Sequence, residues 1–441
     1  MTVDGVIAGS SAREIAASIE GAIRREVLAP GDPLPSVREL AGTLGVSPTT
    51  TASAYRTLRE RALIVTRKRS GVRVSERPVL GGLGGALYVP HDVVDVGSGN
   101  PDPQLLPSLV EGLHAIEPAP RLYGEAASLP ELTRAMMREF HDRRLNEHQT
   151  VVVAGGLDGI ERVLNAHLRP GDEVAVEDPC YAGTRDLIRS LGMVARPVAI
   201  DNDGPDPDEL QQALVSGCAA VVITPRAQNP TGVTIDARRA EELREVLASF
   251  PDRLVVEDDH AAGGVSSAER YTTISTQKNW ALVTSMNKSY GPDLRVACVT
   301  GDEETIGRVE GRQSVGYGWV STVLQHLALH LLNDPSTQKL IATASSAYQV
   351  RRDALVVALA QGGVKSMGST GFNVWIPVPE EDAVVKALLD RGWAVRAGEP
   401  YRINARPGIR VTTSTLTAEQ SAQFADDLVS ILRPVSRRRM G

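Results

Sequence analysis

The sequence predicts two unlike parts in one chain: a small helical module ending in a basic β-hairpin, then a large α/β body on a mostly parallel sheet. Three observations carry this expectation. Charge is divided, since residues 1–78 hold 12 Lys and Arg against 8 Asp and Glu, a balance of +4, while the 441-residue chain carries −7, which leaves −11 for the rest. A glycine cluster, Gly81-Gly82-Leu83-Gly84-Gly85, then interrupts the chain. Beyond it, β-branched apolar runs alternate with helical spacing nearly to the C-terminus. The length allows two or three domains, and 42% hydrophobic with 23% charged residues is the balance of an ordinary globular chain rather than a disordered or fibrous one.

Function classes fall away early. No stretch reaches the eighteen or so apolar residues of a membrane span, and "MTVDGVIAGSSAREI" lacks the basic-then-apolar pattern of a secretory signal. Cys180, Cys218 and Cys298 are far apart and without metal-ligand spacing. A reduced, cytoplasmic protein that contacts no membrane and holds no metal is expected.

Within residues 11–29, Ile15, Ile19, Ile23 and Val27 recur every four positions and predict an amphipathic helix. The prolines of "APGDPLPS" end it. A second short helix follows in "SVRELAGTLGVS", stopped at Gly45, and Ser47 or Thr49 can cap a third, "PTTTASAYRTLRERAL", with Pro48 in its first turn. Two short helices around a tight glycine turn form a helix-turn-helix, whose second helix enters the major groove. "LIVTRKRSGVRVS" then reads as two alternating strands around Ser70-Gly71. Between Arg56 and Arg77 stand eight basic residues and two acidic ones, which suits a polyanion partner.

"LPSVRELAGTLGVSPTTTASAYRTLRERALIVTRKRSGVRV" resembles the winged helix-turn-helix of the GntR superfamily. The resemblance implies a DNA-binding domain over residues 1–76. Arg38, Thr49, Thr50, Tyr55 and Arg56 would face double-stranded DNA, with Lys68, Arg69 and Gly71 in the wing beside them. The family usually places a basic residue after the serine that starts the third helix, where this chain has "SPTT". Residues 77–93, with their glycine cluster, are expected to be a flexible linker.

In the body, "TVVVAGG", "DEVAVED", "MVARPVAI", "AAVVITP", "DRLVVED" and "WALVTSM" predict strands, and "LDGIERVLNAHL" a helix. Nearly continuous β-branched runs separated by helices predict a parallel sheet covered on both faces. Such sheets bind ligands at the carboxyl ends of their strands. There stand the glycines and helix start of "AGGLDG", able to take an anion, then Tyr181, the loop "TPRAQNPTG" with Asn229, the carboxylates of "VEDDH", and "SMNKSYGPDLR" with Lys288 and Arg295. The set suits pyridoxal 5'-phosphate, which needs a lysine for its aldehyde, a carboxylate to keep the pyridine nitrogen protonated, phosphate donors and a stacking ring.

Residues 94–435 resemble the fold-type I aminotransferases, with a smaller α+β subdomain at about 330–435. On that resemblance Lys288 would hold the cofactor covalently and act as the catalytic residue. Asp258 would pair with the pyridine nitrogen, Asn229 would bond the phenolic oxygen, and Tyr181 would stack on the ring. Ser285, Arg295 and the amides of Gly156 and Leu157 would hold the phosphate. Tyr123, in "RLYGEAASLPELTRAM", would reach the cofactor of the partner subunit in a homodimer, and Arg410, in "PGIRVTTS", would grip an effector carboxylate. Asp259 is expected to be solvated or a cap. His260 stands where regulators of this type have tyrosine; imidazole can donate the same bond but ordinarily titrates near neutral pH. Gly183 stands where an arginine is usual, and "AAGGVSSAERYTT" lacks the acidic-aromatic continuation.

The two resemblances together look like the MocR group of bacterial transcriptional regulators. They imply a reader that binds an operator and a body that senses an amino acid or amine through an external aldimine. The alternatives are a working aminotransferase with an accessory DNA-binding domain, and a DNA-binding protein whose body is only a dimerisation scaffold.

Overall fold

The computed structural model describes residues 6–24, 27–60, 63–67, 71–75, 89–90, 92–138, 149–262, 264–265, 274 and 277–433. The chain divides into two compact units, one centred on Met1–Gly85 and the other beginning at Ala86. Most of the expected linker, residues 77–93, lies outside the described residues, as do Lys68 and Arg69 of the expected wing.

The first unit packs α1 (Ala12–Arg24), α2 (Val37–Leu44) and α3 (Pro48–Glu60) against the hairpin β1 (Ile64–Arg67) and β2 (Gly71–Val74). Ile15 and Ile19 are fully buried as the four-residue spacing predicts. Val27 departs from that pattern: it lies past the helix, is 45% exposed, and its amide and that of Leu28 both turn back to the Ala22 carbonyl, so that Leu28 is buried instead. Ser36 and Glu39 form a reciprocal capping box at the start of α2, and Gly45 ends it at φ 65°, a left-handed conformation that favours glycine. Ser47 caps α3, its Oγ accepting the Thr50 amide at 3.1 Å. The hairpin is antiparallel, in register from Ile64 opposite Val74 to Arg67 opposite Gly71.

One expected DNA contact is overturned. Tyr55 is fully buried, and its hydroxyl donates to the Pro35 carbonyl at 2.7 Å. It belongs to the stripe Thr51, Ala54, Tyr55, Leu58, all at 0% exposure, which is the inward face of α3. Arg38, Thr49 and Arg56 are exposed and Thr50 is half-buried.

In the second unit the strands are β3 (Val94–Asp95), β4 (Gln149–Val153), β5 (Glu173–Asp178), β6 (Val194–Asp201), β7 (Gly204–Pro205), β8 (Ala220–Ile223), β9 (Leu254–Asp259), β10 (Trp280–Ser285) and β11 (Ala297–Gly301). Four more follow: β12 (Asn373–Pro377), β13 (Trp393–Ala394), β14 (Arg396–Ala397) and β15 (Gly408–Thr412). The main sheet runs β4-β11-β10-β9-β8-β5-β6-β7. Strands β5, β8, β9 and β10 are parallel. β11, absent from the expected strands, runs antiparallel between β10 and β4, which leaves β4 parallel to β10, and at the far edge β7 runs antiparallel to β6. The carboxyl ends of β4, β5, β8, β9 and β10 therefore meet at one edge, and the expected sheet class holds.

Nearer the C-terminus the sheet β12-β15-β14 packs under the helices Pro335–Gln361 and Ala418–Leu432, around Leu355, Trp393, Phe424 and Leu428. It carries Arg410 on β15, opposite Trp375. Among the described residues no helix is long and apolar enough to cross a membrane.

Tyr55→Phe removes one buried hydrogen bond, so it should cost the first unit about 1 kcal/mol of stability and leave the DNA affinity of the folded protein unchanged. Arg56→Ala should do the reverse. Denaturant melts and binding titrations of both variants check this, and a DNA-binding loss in folded Tyr55→Phe would contradict it.

Candidate cofactor-binding site

At the shared strand edge lies a cavity of about 240 Å³, lined by Gly156, Leu157, Tyr181, Asn229, Asp258, His260, Ser285, Lys288 and Arg295, which were all expected there, and by Asn100, Pro101, Asn287 and Pro292. Lys288 sits in the short helix Asn287–Tyr290 directly after β10. Its Nζ donates to the Gly99 carbonyl at 2.7 Å and lies 5.6 Å from the Phe372 ring centroid. Burial, then the Arg410 charge, lowers its pKa to about 8. About a tenth of the amine is therefore free of its proton at pH 7, far more than for an ordinary lysine.

Asp258, opposite Val283 of β10, is buried, and its Oδ1 has no hydrogen-bond partner. Burial and the adjacent Asp259 charge raise its pKa to about 7. A cationic N–H against Oδ1 would offset both effects. Asn287 Oδ1 is a second buried acceptor without a partner. Asp259 is neither solvated nor a cap, contrary to expectation. Both its oxygens accept from Arg226, at 3.1 and 2.5 Å, in a buried pair. Removing either partner would strand a charge, at a cost of about 3–5 kcal/mol.

The anion cradle is local backbone chemistry. Helix Gly156–His167 begins after Gly155, whose φ is 115°. An L side chain is strained at this φ, and a Cβ on Gly155 would stand 2.5 Å from the Arg295 guanidinium and displace it. Arg295, itself left-handed at φ 51°, donates to the Ala154 carbonyl at 2.8 Å. The helix amino end, Ser285 and this guanidinium together favour a phosphate.

Arg410 is buried and makes no ion pair with a carboxylate among the described residues. It donates to Asn229 Oδ1 at 3.2 Å and to the Gly97 carbonyl at 2.6 Å, and its guanidinium carbon lies 5.1 Å from the Tyr401 ring centroid. Its Nε has no partner, and burial lowers its pKa. His260 corrects the expectation of a near-neutral titration. Burial first, then Lys288, depress it to about 4, and its imidazole bonds the Ala227 backbone, so it is neutral at physiological pH. Tyr123 is not in this cavity; it is 94% exposed and meets Trp319 edge-on at 5.7 Å. Part of the "AAGGVSSAERYTT" segment lies outside the described residues.

Expectation missed the Gly97–Asn100 backbone. "GSGNPDP" follows the apolar "VVDV", and that strand-to-glycine pattern was the available signal. Also missed was Glu177, buried beside Asp258 and bonded by the Thr224 amide and the Gln228 side chain at 3.2 and 3.1 Å, with burial raising it to about 8.

The unpartnered Asp258 acceptor, the positive-φ glycine turn at Gly155 beside Arg295 and the low-pKa lysine fit pyridoxal phosphate. Fold and site define a helix-turn-helix reader joined to a pyridoxal-phosphate body. Residues 11–74 match the gntR family of bacterial regulatory proteins, and residues 91–428 match aminotransferase class I and II. The chain is 38% identical, over 96% of its length and 99% of the relative's, to the vitamin B6 salvage pathway transcriptional repressor PtsJ of Salmonella typhimurium. It is 25% identical to the HTH-type transcriptional regulator TauR of Rhodobacter capsulatus, covering 79% of this chain and 80% of that one. To the aspartate/prephenate aminotransferase of Thermus thermophilus it is 26% identical, over 70% and 84% of the two chains. The solved kynurenine aminotransferase of Pyrococcus horikoshii superposes with a TM-score of 0.70 at 20% identity, over 77% of this chain and 91% of that one, a likeness of fold. This chain belongs to the aminotransferase class I and II family, among those regulators that carry a gntR-type domain, and its cofactor is pyridoxal 5'-phosphate.

Differential acetylation of the cofactor-free protein, read by mass spectrometry across pH, should show Lys288 half-reactive near pH 8, about two units below ordinary lysines. A midpoint near 10 would contradict the burial argument.

Proposed function

We propose that this protein is a cytoplasmic, homodimeric transcriptional regulator whose first unit binds operator DNA and whose second unit senses an amino compound with the help of pyridoxal phosphate. The observation that carries this is the 38% identity to a transcriptional repressor across both units at once, together with a cofactor cavity complete in its residue types. Arg38, Thr49, Thr50 and Arg56, which the structure leaves at least partly accessible, would meet DNA, with Lys68, Arg69 and Gly71 beside them.

When bound, the cofactor supplies an aldehyde that primary amines engage and a ring that withdraws electrons. The residues of this chain set the terms of that encounter. Lys288, near its pKa at physiological pH, would hold the aldehyde and give way to a competing amine. Asp258 would hold a proton on the ring nitrogen. Asn229 would bond the phenolic oxygen, His260 would line the cofactor pocket beside it, and Tyr181 would cover the ring face. Ser285, Arg295 and the Gly156 and Leu157 amides would fix the phosphate. Arg410 would take a carboxylate from the effector, and Tyr123 would complete the partner's site.

A second reading rests on the Salmonella relative, a repressor of vitamin B6 salvage. By that reading the cofactor is itself the signal, and its occupancy alone changes DNA affinity.

Absorbance and DNA titrations on the purified full chain test both. Added pyridoxal phosphate should produce a visible lysine-bound band in wild type and none in Lys288→Ala. Asp258→Ala should weaken cofactor binding about 10–100-fold, the worth of a lost hydrogen bond to charge. Affinity for selected genomic fragments should fall steeply with salt and change when ligand is added. Steady production of a keto acid from an amino acid, with ligand-independent DNA binding, would point to an enzyme instead.

A further inference from the structure

Gln228 stands directly before Asn229, in the loop between β8 and the helix Ala237–Ala248, and is 2% exposed. Its Oε1 accepts from the Thr231 amide at 3.1 Å and from the Thr231 hydroxyl at 2.6 Å. Its Nε2 donates to Glu177 Oε2 at 3.1 Å and to the Pro179 carbonyl at 2.8 Å. A side-chain amide offers two N–H donors and one oxygen with two lone pairs, so this one is saturated. Nor can it flip, because the Thr231 amide only donates and the Pro179 carbonyl only accepts.

Glu177 completes the frame. Near the carboxyl end of β5, its Oε1 accepts the Thr224 amide at 3.2 Å, so one buried carboxyl group ties the loop both at its start and at Gln228. On its other side the loop meets Arg410, which donates to Asn229 Oδ1 at 3.2 Å. That leaves the NH2 of Asn229 as the end to meet a ligand oxygen.

We propose that Gln228, oriented by Glu177, is a positioning residue that aims the Asn229 amide at the phenolic oxygen of the cofactor. The inference rests on the assignment of Asn229 above and goes beyond it, since neither Gln228 nor Glu177 lines the cavity. Leucine at 228 would occupy a similar volume and make none of the four side-chain bonds. Glutamine at 177 would keep the shape but turn an NH2 against another donor, either Gln228 Nε2 or the Thr224 amide. In both cases the segment relaxes and Asn229 loses its aim.

An N–H donated to the phenolic oxygen favours its ionised form, so the lysine-bound cofactor loses its proton at a lower pH. Absorbance of pyridoxal phosphate on the full chain, followed across pH, reads that midpoint in wild type, Asn229→Ala, Gln228→Leu and Glu177→Gln. Each single change should raise it by about one pH unit. Gln228→Leu or Glu177→Gln combined with Asn229→Ala should match Asn229→Ala alone, because a residue that acts through Asn229 adds nothing once Asn229 is gone. Glu177→Gln serves where Gln228→Leu folds poorly. Loss of negative charge alone would move its midpoint down, so the direction separates lost aim from lost charge. If Asn229→Ala raises the midpoint while a folded Gln228→Leu or Glu177→Gln leaves it unmoved or lowers it, the positioning role is overturned and the Asn229 assignment stands. A double variant shifted beyond Asn229→Ala overturns the role as well. An unmoved midpoint in Asn229→Ala means that the Asn229 assignment fails, and the positioning role with it.

Discussion

The second unit depends on burying charged groups that have no counter-charge of their own. Asp258 keeps an unpartnered oxygen in the interior, Lys288 gives its proton only to a backbone carbonyl, and Arg410 meets an amide oxygen and a carbonyl. Such groups cost a fold stability unless something compensates them. Asp258 and Lys288 are buried where the parallel sheet brings five strand ends to one edge, and Arg410 comes from β15 of the smaller sheet. The contrast lies one residue away, where Asp259 has its own arginine. One carboxylate of the pair is satisfied within the chain and its neighbour is left for a ligand.

That division explains the pKa pattern as one electrostatic design. Desolvation raises Asp258 and lowers Lys288 and His260, each toward its neutral form. A lysine near its pKa can exchange an aldehyde with an incoming amine. The neutral imidazole of His260 has one N–H, which the Ala227 backbone takes, so replacement of the usual tyrosine leaves only an acceptor nitrogen toward the pocket. The same pocket chemistry would serve transamination. What sets the protein apart from the aminotransferases it resembles is the reader fused ahead of that pocket.

Much of this was legible in the sequence where the signal was local. Ser36 with Glu39, Gly45 and the alternation in "LIVTRKRSGVRVS" report backbone geometry within a few residues, and the first unit follows them. Residues at the carboxyl ends of strands could be collected into one cavity because a parallel sheet leaves them nowhere else to meet. Tyr55 was misjudged although its own spacing, Thr51, Ala54, Tyr55, Leu58, marks a buried helical face. Asp259 and the Gly97–Asp102 backbone were illegible for a different reason. Their partners, Arg226 for the one and Arg410, Arg351 and Tyr348 for the other, come from distant stretches, and no local pattern announces a pairing across 313 residues such as Gly97 with Arg410.

The most direct test of the central claim is the thermal stability of Asp258→Asn beside wild type, each with and without pyridoxal phosphate. If Asp258 is a buried charge kept for a ligand, the cofactor-free variant should melt at or above the wild-type temperature and gain little on adding cofactor, while wild type gains much. A cofactor-free variant that melts well below wild type would mean that Asp258 is already compensated within the fold, and the account would be wrong.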